Sequence, residues 1–119
     1  MLNFVICDDN ENSLRKFSKM LNLVFENNNL EGHITLSSPN PYDVLEYISK
    51  HTVDAVILDI DLQSDISGLD LAQKIRNINK NIYIIFATAH LEYLIMAYKC
   101  KTFDYLPKPI TLNNLESTI

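Results

Sequence analysis

Tryptophan is absent from this chain, and glycine occurs only twice in 119 residues. With four prolines and no internal repeat, collagen-like and low-complexity architectures are excluded. Cysteine is scarce as well. Cys7 sits in an apolar run and reads as a small core residue, while Cys100, between Lys99 and Lys101, has no obvious partner. Two unpaired thiols suit a reducing compartment, so the cytoplasm is the expected location. No apolar stretch approaches the ~18 residues that a membrane-spanning helix needs. The start, Met1-Leu2-Asn3-Phe4, lacks the basic residues and cleavage site of a signal peptide. No membrane partner is expected. Positive charge is also in deficit, with 10 basic against 15 acidic residues and a formal net charge of −5. Such a surface repels the phosphate backbone, no Lys/Arg run offsets it, and no basic helix face is evident. Direct DNA binding by this chain is not expected.

What remains is an ordinary globular composition, 47% hydrophobic and 21% charged, on a length that suits one domain with one core. Three short apolar runs stand out: Phe4-Val5-Ile6-Cys7, Ala55-Val56-Ile57-Leu58, and Ile82 to Ala87. Each is rich in β-branched or aromatic residues and ends in polar ones, as strands buried on both faces do. His33–Leu36 and Phe103–Leu106 are weaker strand candidates. Helical spacing fills the gaps. Leu14, Phe17, Leu21, Val24 and Phe25 recur every three or four residues, with Asn10 or Asn12 as a cap. Pro41 suits the first turn of a helix carrying Val44, Leu45 and Ile48. Leu69, Ala72, Ile75 and Ile78 mark a third helix, Leu91, Leu94, Ile95 and Tyr98 a fourth, and Leu112, Leu115 and Ile119 a last one capped by Thr111. Strand and helix alternate throughout. The pattern predicts an α/β fold: a doubly wound parallel sheet with helices on both faces.

Ligands of such sheets bind beyond the carboxyl ends of the strands. Those ends carry a particular set of groups: Asp8-Asp9 after the first apolar run, Asp59 after the second, Thr88 after the third, and Lys108 after the last strand candidate. Any one of these has a bland account as a helix cap, a solvated loop or a surface charge. Their recurrence at four strand ends of one chain argues for a single site. Converging carboxylates repel one another and invite a hard cation; Mg²⁺ takes about six oxygens and commonly works beside a phosphoryl group. A lysine and a hydroxyl suit phosphoryl oxygens, and a carboxylate can serve as nucleophile.

The combination Asp8-Asp9, Asp59, Gly68, Thr88-Ala89 and Lys108-Pro109 resembles the receiver domain of two-component response regulators, over all 119 residues. The resemblance implies a CheY-like, flavodoxin-like sheet of five strands in order 2-1-3-4-5, and one receiver domain over residues 1–119. It implies Asp59 as phosphoacceptor for a sensor histidine kinase, with Mg²⁺ held by Asp9 directly, by Asp8 mainly through water, by Asp59, and by the backbone carbonyl of Asp61. Thr88 becomes the switch hydroxyl, Lys108 the phosphoryl-contacting lysine, before a Lys108-Pro109 bond expected to be cis, and Tyr105 the aromatic that turns inward on activation. Ala89 and His90 are candidate modulators of hydrolysis. The role implied is phosphoacceptor rather than enzyme, with slow self-dephosphorylation. A homodimer through the Leu91–Tyr98 helix, the fifth strand and the Thr111–Ile119 helix is a further implied partner.

A narrower likeness lies in Asn40-Pro41-Tyr42-Asp43-Val44-Leu45-Glu46, in Leu58-Asp59-Ile60-Asp61-Leu62, and in Ser64-Asp65-Ile66-Ser67-Gly68. These segments are similar to Agr-type quorum-sensing regulators of transcription, which carry a LytTR DNA-binding domain after the receiver. That effector is expected to be missing here and the last helix cut short. Asp61 adds a fourth acid where many receivers have another residue. A rival reading takes Asp59-Ile60-Asp61 as the D-x-D of haloacid-dehalogenase-type phosphatases. That family places D-x-D first and its metal-binding acids last, the reverse of this chain. A third reading, a receiver-like module that has lost phosphorylation, finds no group of the set missing.

Overall fold

The computed structural model describes residues 2–60, 62, 65–88, 102–107 and 111–118, with 88 and 102–107 described by their backbone. In chain order the elements are β1 (Leu2–Cys7), α1 (Glu11–Asn27), β2 (Gly32–Ser38), α2 (Pro41–Lys50), β3 (Ala55–Asp59), α3 (Gly68–Ile78), β4 (Tyr83–Thr88), β5 (Thr102–Pro107) and α4 (Leu112–Thr118). All strand pairings are parallel, in the order β2-β1-β3-β4-β5. The expected Leu91–Tyr98 helix lies outside the described residues, as do Cys100 and the Lys108-Pro109 bond.

Period-2 geometry splits the interior into two cores. Val5 and Cys7 of β1, Val56 and Leu58 of β3, and Ile84 and Phe86 of β4 pack with Val44 and Ile48 of α2 and Leu71, Ala72 and Ile75 of α3. The intervening residues Phe4, Ile6, Ala55, Ile57, Ile85 and Ala87 pack on the other side with Leu14, Phe17, Leu21, Val24 and Phe25 of α1 and Leu115 of α4. Burying each such side chain contributes roughly 1.5–3 kcal/mol, so the three central strands are held from both faces. β1–β3 and β3–β4 pair without interruption. The two flanking strands do not: the register shifts between Phe4 and Val5 against β2, and between Ile84 and Ile85 against β5. An irregular edge is a poorer template for a further strand. The half-buried pattern of β2 also explains why its apolar signal is the weaker one.

Side-chain caps fix the helix starts. Asn10, of the two candidates, caps α1 by accepting from the Ser13 N–H. Asn40 caps α2 by accepting from the Tyr42 N–H, with Pro41 in the first turn. Ser67 and Asp70 form a reciprocal capping box at α3, and Thr111 accepts from the Asn114 N–H ahead of α4. Arg76, at the end of α3, is buried and donates to the carbonyls of Lys80 and Ile82 at 3.0 and 2.6 Å. Its charge thereby closes the turn into β4.

The expectation of no basic helix face needs correction. Arg15, Lys16 and Lys19 are all exposed on α1 and line one groove with Asn10, Asn12 and Ser13. Spacings of one, three and four residues gather them on one side of a helix without forming a run.

Gly68 shows why its position takes no side chain. Its N–H donates to the Ile60 carbonyl at 2.9 Å, so the start of α3 lies against the end of β3. A Cβ there would sit 2.7 Å from Ile60 Cα and 2.8 Å from the Asp59 carbonyl carbon, and closer still to the Asp59 oxygen. These are backbone atoms of a strand pinned on both sides, and they cannot step aside. Gly68→Ala is therefore expected to destabilise the fold by about 1–3 kcal/mol, the range for overpacking. Urea denaturation checks this, and an unchanged midpoint would show that α3 can retreat at no cost.

Candidate functional site: an acidic cluster at the carboxyl edge of the sheet

The pairing register decides which side chains meet. Cys7 is opposite Leu58, so the residues that follow, Asp8 and Asp59, emerge side by side. Asp59 is opposite Ala87, which puts Thr88 one step beyond it, and Thr88 is in turn opposite Pro107. One row of four neighbouring strands thus ends at the same edge, at the point where the chain reverses direction of winding between β1 and β3. Oxygens of Asp8, Asp9 and Asp59 lie within 4.8 Å of one another. Asp8 and Asp59 are buried, at 4% and 6% exposure, while Asp9 is intermediate. Asp8 also accepts from the Asn10 N–H at 3.0 Å, which ties the acidic pair to the start of α1.

The neighbouring thiol registers the local field. Burial pushes Cys7 up to about 12, and the negative charges of Asp8, Asp59, Asp9 and Asp43 add to the effect. Three carboxylates in one recess, two of them deeply buried, form a hard oxygen donor set of the kind that divalent Mg²⁺ or Ca²⁺ takes. Neutral or soft ligands are not among the three. The residues fit a hard cation.

Of the expected site residues, Asp8, Asp9 and Asp59 are brought together. The backbones of Thr88 and Tyr105 stand in the same part of the sheet, Tyr105 opposite Phe86. Asp61, Ala89, His90 and Lys108 lie outside the described residues. Two contributions escaped the sequence reading. Ser38, at the end of β2, donates to Asp43 of α2 at 3.1 Å and accepts from the Asn40 N–H at 3.0 Å, joining the two elements beside the cluster. Tyr42 donates its hydroxyl to Asp65 at 2.6 Å, bridging α2 to the connection that leaves Asp59. That hydrogen bond raises the phenol above its ordinary value. Tyr42 and Asp43 lie in the Asn40–Asp43 segment and Asp65 in the Ser64–Gly68 segment, far apart along the chain, and no periodicity links them.

Like charges held within 4.8 Å repel even at the moderate effective dielectric of a protein pocket. Asp9→Asn removes one charge while keeping shape, and should raise metal-free stability by about 1 kcal/mol. The same change should abolish the stabilisation that added Mg²⁺ gives wild type. Thermal melts with and without the ion check both halves. A variant that melts below wild type without metal would refute the repulsion argument.

Residues 4–119 match the response regulator receiver domain family. The sensory transduction protein LytR of Staphylococcus epidermidis is 32% identical over 115 residues, covering 97% of this chain and 43% of that protein. LytR of Staphylococcus haemolyticus is 40% identical over 80 residues, covering 67% and 31%. The chain therefore spans less than half the length of either relative. Among solved structures, the response regulatory domain of MrkE from Klebsiella pneumoniae superposes with a TM-score of 0.86 at 26% identity, covering 98% of this chain and 91% of that one. A receiver domain from Clostridium thermocellum gives 0.84 at 23% identity over 99% and 90%, a likeness of fold. With the family match running from Phe4 to the end of the sequence and the carboxylates gathered where the sheet's strands end, this chain belongs to the response regulator receiver domains.

Proposed function

We propose that this receiver is a phosphorylation switch whose acceptor is Asp59, and the observation that carries the reading is the cluster of Asp8, Asp9 and Asp59 at the strand ends. A sensor histidine kinase supplies the phosphoryl group as phosphohistidine. An Asp59 carboxylate oxygen attacks phosphorus, the phosphorus–nitrogen bond breaks, and its electron pair stays with the imidazole, which takes up a proton. Asp8, Asp9 and the Asp61 carbonyl are the groups that would hold Mg²⁺ beside Asp59; when bound, the ion supplies positive charge toward the phosphoryl oxygens. Lys108 supplies the second positive charge. Asp59 itself is only 6% exposed, so little of the acceptor is open to water. Slow self-hydrolysis, with Ala89 and His90 as its candidate modulators, resets the switch.

The signal then passes to Thr88 and Tyr105. A phosphoryl group adds negative charge and acceptor oxygens next to the strand position of Thr88, whose hydroxyl moves to meet them. Tyr105, on the neighbouring strand, fills the space behind it. The outcome is a population shift between two conformations that already exist. It changes a surface that includes β5 and α4, through which a homodimer forms. The names of relatives, sensory transduction protein LytR and transcriptional regulatory protein YpdB of Escherichia coli, support an output in transcription. In this reading the output runs through a LytTR DNA-binding domain, in a quorum-sensing setting and in the cytoplasm. No described helix is long and apolar enough to cross a membrane.

Incubation with Mg²⁺ and phosphoramidate, followed by intact-mass measurement, should add one phosphoryl group that maps to Asp59 and is absent from Asp59→Asn. Turnover of a phosphate ester with no lasting adduct would favour a phosphatase, and no reaction at all would leave only a binding module. In a second test, phosphorylated Thr88→Ala is expected to lack the β5 NMR shifts of phosphorylated wild type. Identical shifts would remove the hydroxyl from the mechanism.

A further inference from the structure

The connection between β3 and α3 begins at Asp59 and has to hold a defined path if the acceptor is to keep its aim. Its two ends are joined by the Gly68 N–H donating to the Ile60 carbonyl, and the α3 end is held as well by the side-chain-to-backbone bonds of the Ser67–Asp70 capping box. Ile60 and Leu62 are buried in the core on the α2/α3 side. Beyond these, Asp65 is exposed, and burial does nothing to place it. Its carboxylate is instead met by the Tyr42 hydroxyl at 2.6 Å.

The donor is the better anchored of the two. Tyr42 is the second residue of α2, its N–H is held by Asn40, and the next residue, Asp43, is held by Ser38 at the end of β2. β2 pairs directly with β1, whose end carries Asp8 and Asp9. A chain of short contacts therefore runs from the strands bearing the acidic pair, through α2, to the segment that leaves Asp59. Tyr42 is itself nearly half exposed, at 48%, so little apolar burial is gained by holding its ring here.

We infer that Tyr42 is a positioning residue for the chemistry at Asp59, acting through its hydroxyl on Asp65. The inference rests on the reading of Asp59 as phosphoacceptor. The Tyr42–Asp65 bond narrows the paths open to the β3–α3 connection, and so raises the fraction of molecules in which Asp59 and its neighbours stand in attacking geometry. It alters how fast the site reacts rather than whether the fold forms.

The test compares wild type, Tyr42→Phe, Asp65→Ala and the double variant. Rates of Mg²⁺-dependent phosphorylation by phosphoramidate are followed by intact mass across donor concentrations, beside urea denaturation of each protein. Wild type comes first: if it takes no phosphoryl group on Asp59, the parent reading fails and this one falls with it. Given phosphorylation, each single variant should lose about three- to tenfold in rate at saturating donor. The half-saturating donor concentration and the unfolding midpoint should stay at wild-type values. The double variant should be no slower than either single one, because both remove the same link. Single-variant rates within about twofold of wild type, additive losses, or losses that track a fall in stability would each overturn the assignment.

Discussion

Everything at the functional edge depends on the hydrogen-bond register between β1 and β3. Three carboxylates whose oxygens lie within 4.8 Å of one another do not gather of their own accord; their mutual repulsion opposes folding. What opposes the repulsion is the run of four matched pairs from Phe4–Ala55 to Cys7–Leu58. Those pairs are locked by apolar side chains on both faces of the sheet. A slip of one residue would exchange the two faces of a strand and bury its partners on the wrong side. Because every residue from Val5 to Cys7 and from Val56 to Leu58 is nearly inaccessible, that slip is closed off, and Asp8 and Asp59 have nowhere to go but toward each other.

Energy gained in the core is thus converted into order at the polar site that borders it. The helices complete the arrangement from outside. α3 abuts the end of β3 because Gly68 leaves room for the Asp59 carbonyl, and α2 is fastened to β2 by the Ser38, Asn40 and Asp43 contacts. Where the site needs accuracy, the chain uses short polar links at helix starts instead of more apolar area. Arg76 does the same at the opposite end of α3, spending its buried charge on loop carbonyls.

Much of this was legible in the residues alone, and the reason is periodicity. Phe4 to Cys7, Ala55 to Leu58 and Ile82 to Ala87 declare strands because both faces of each are buried, and alternation of strand with helix then implies where the carboxylates meet. Asp8, Asp9 and Asp59 follow from that argument without any knowledge of distance. Contacts between segments that share no period were not legible. Nothing in the order of residues says that Tyr42 reaches Asp65 or that Arg76 turns inward to loop carbonyls. The basic groove on α1 was overlooked because Lys19 joins Arg15 and Lys16 only across a helical turn, with Phe17 and Ser18 between them along the chain.

That groove bears on how this acidic protein meets an anionic partner. A molecule with a formal charge of −5 repels a phosphorylated donor at long range. Asn10 both lines the groove and follows Asp9 directly, so one end of the groove adjoins the acidic pair along the chain. Over the ~8 Å across which charge is felt at physiological salt, three exposed cations on one helix give an acidic protein a local patch of opposite sign. Net charge describes this surface only as an average: an anion approaching the α1 groove meets cations that its total would not announce.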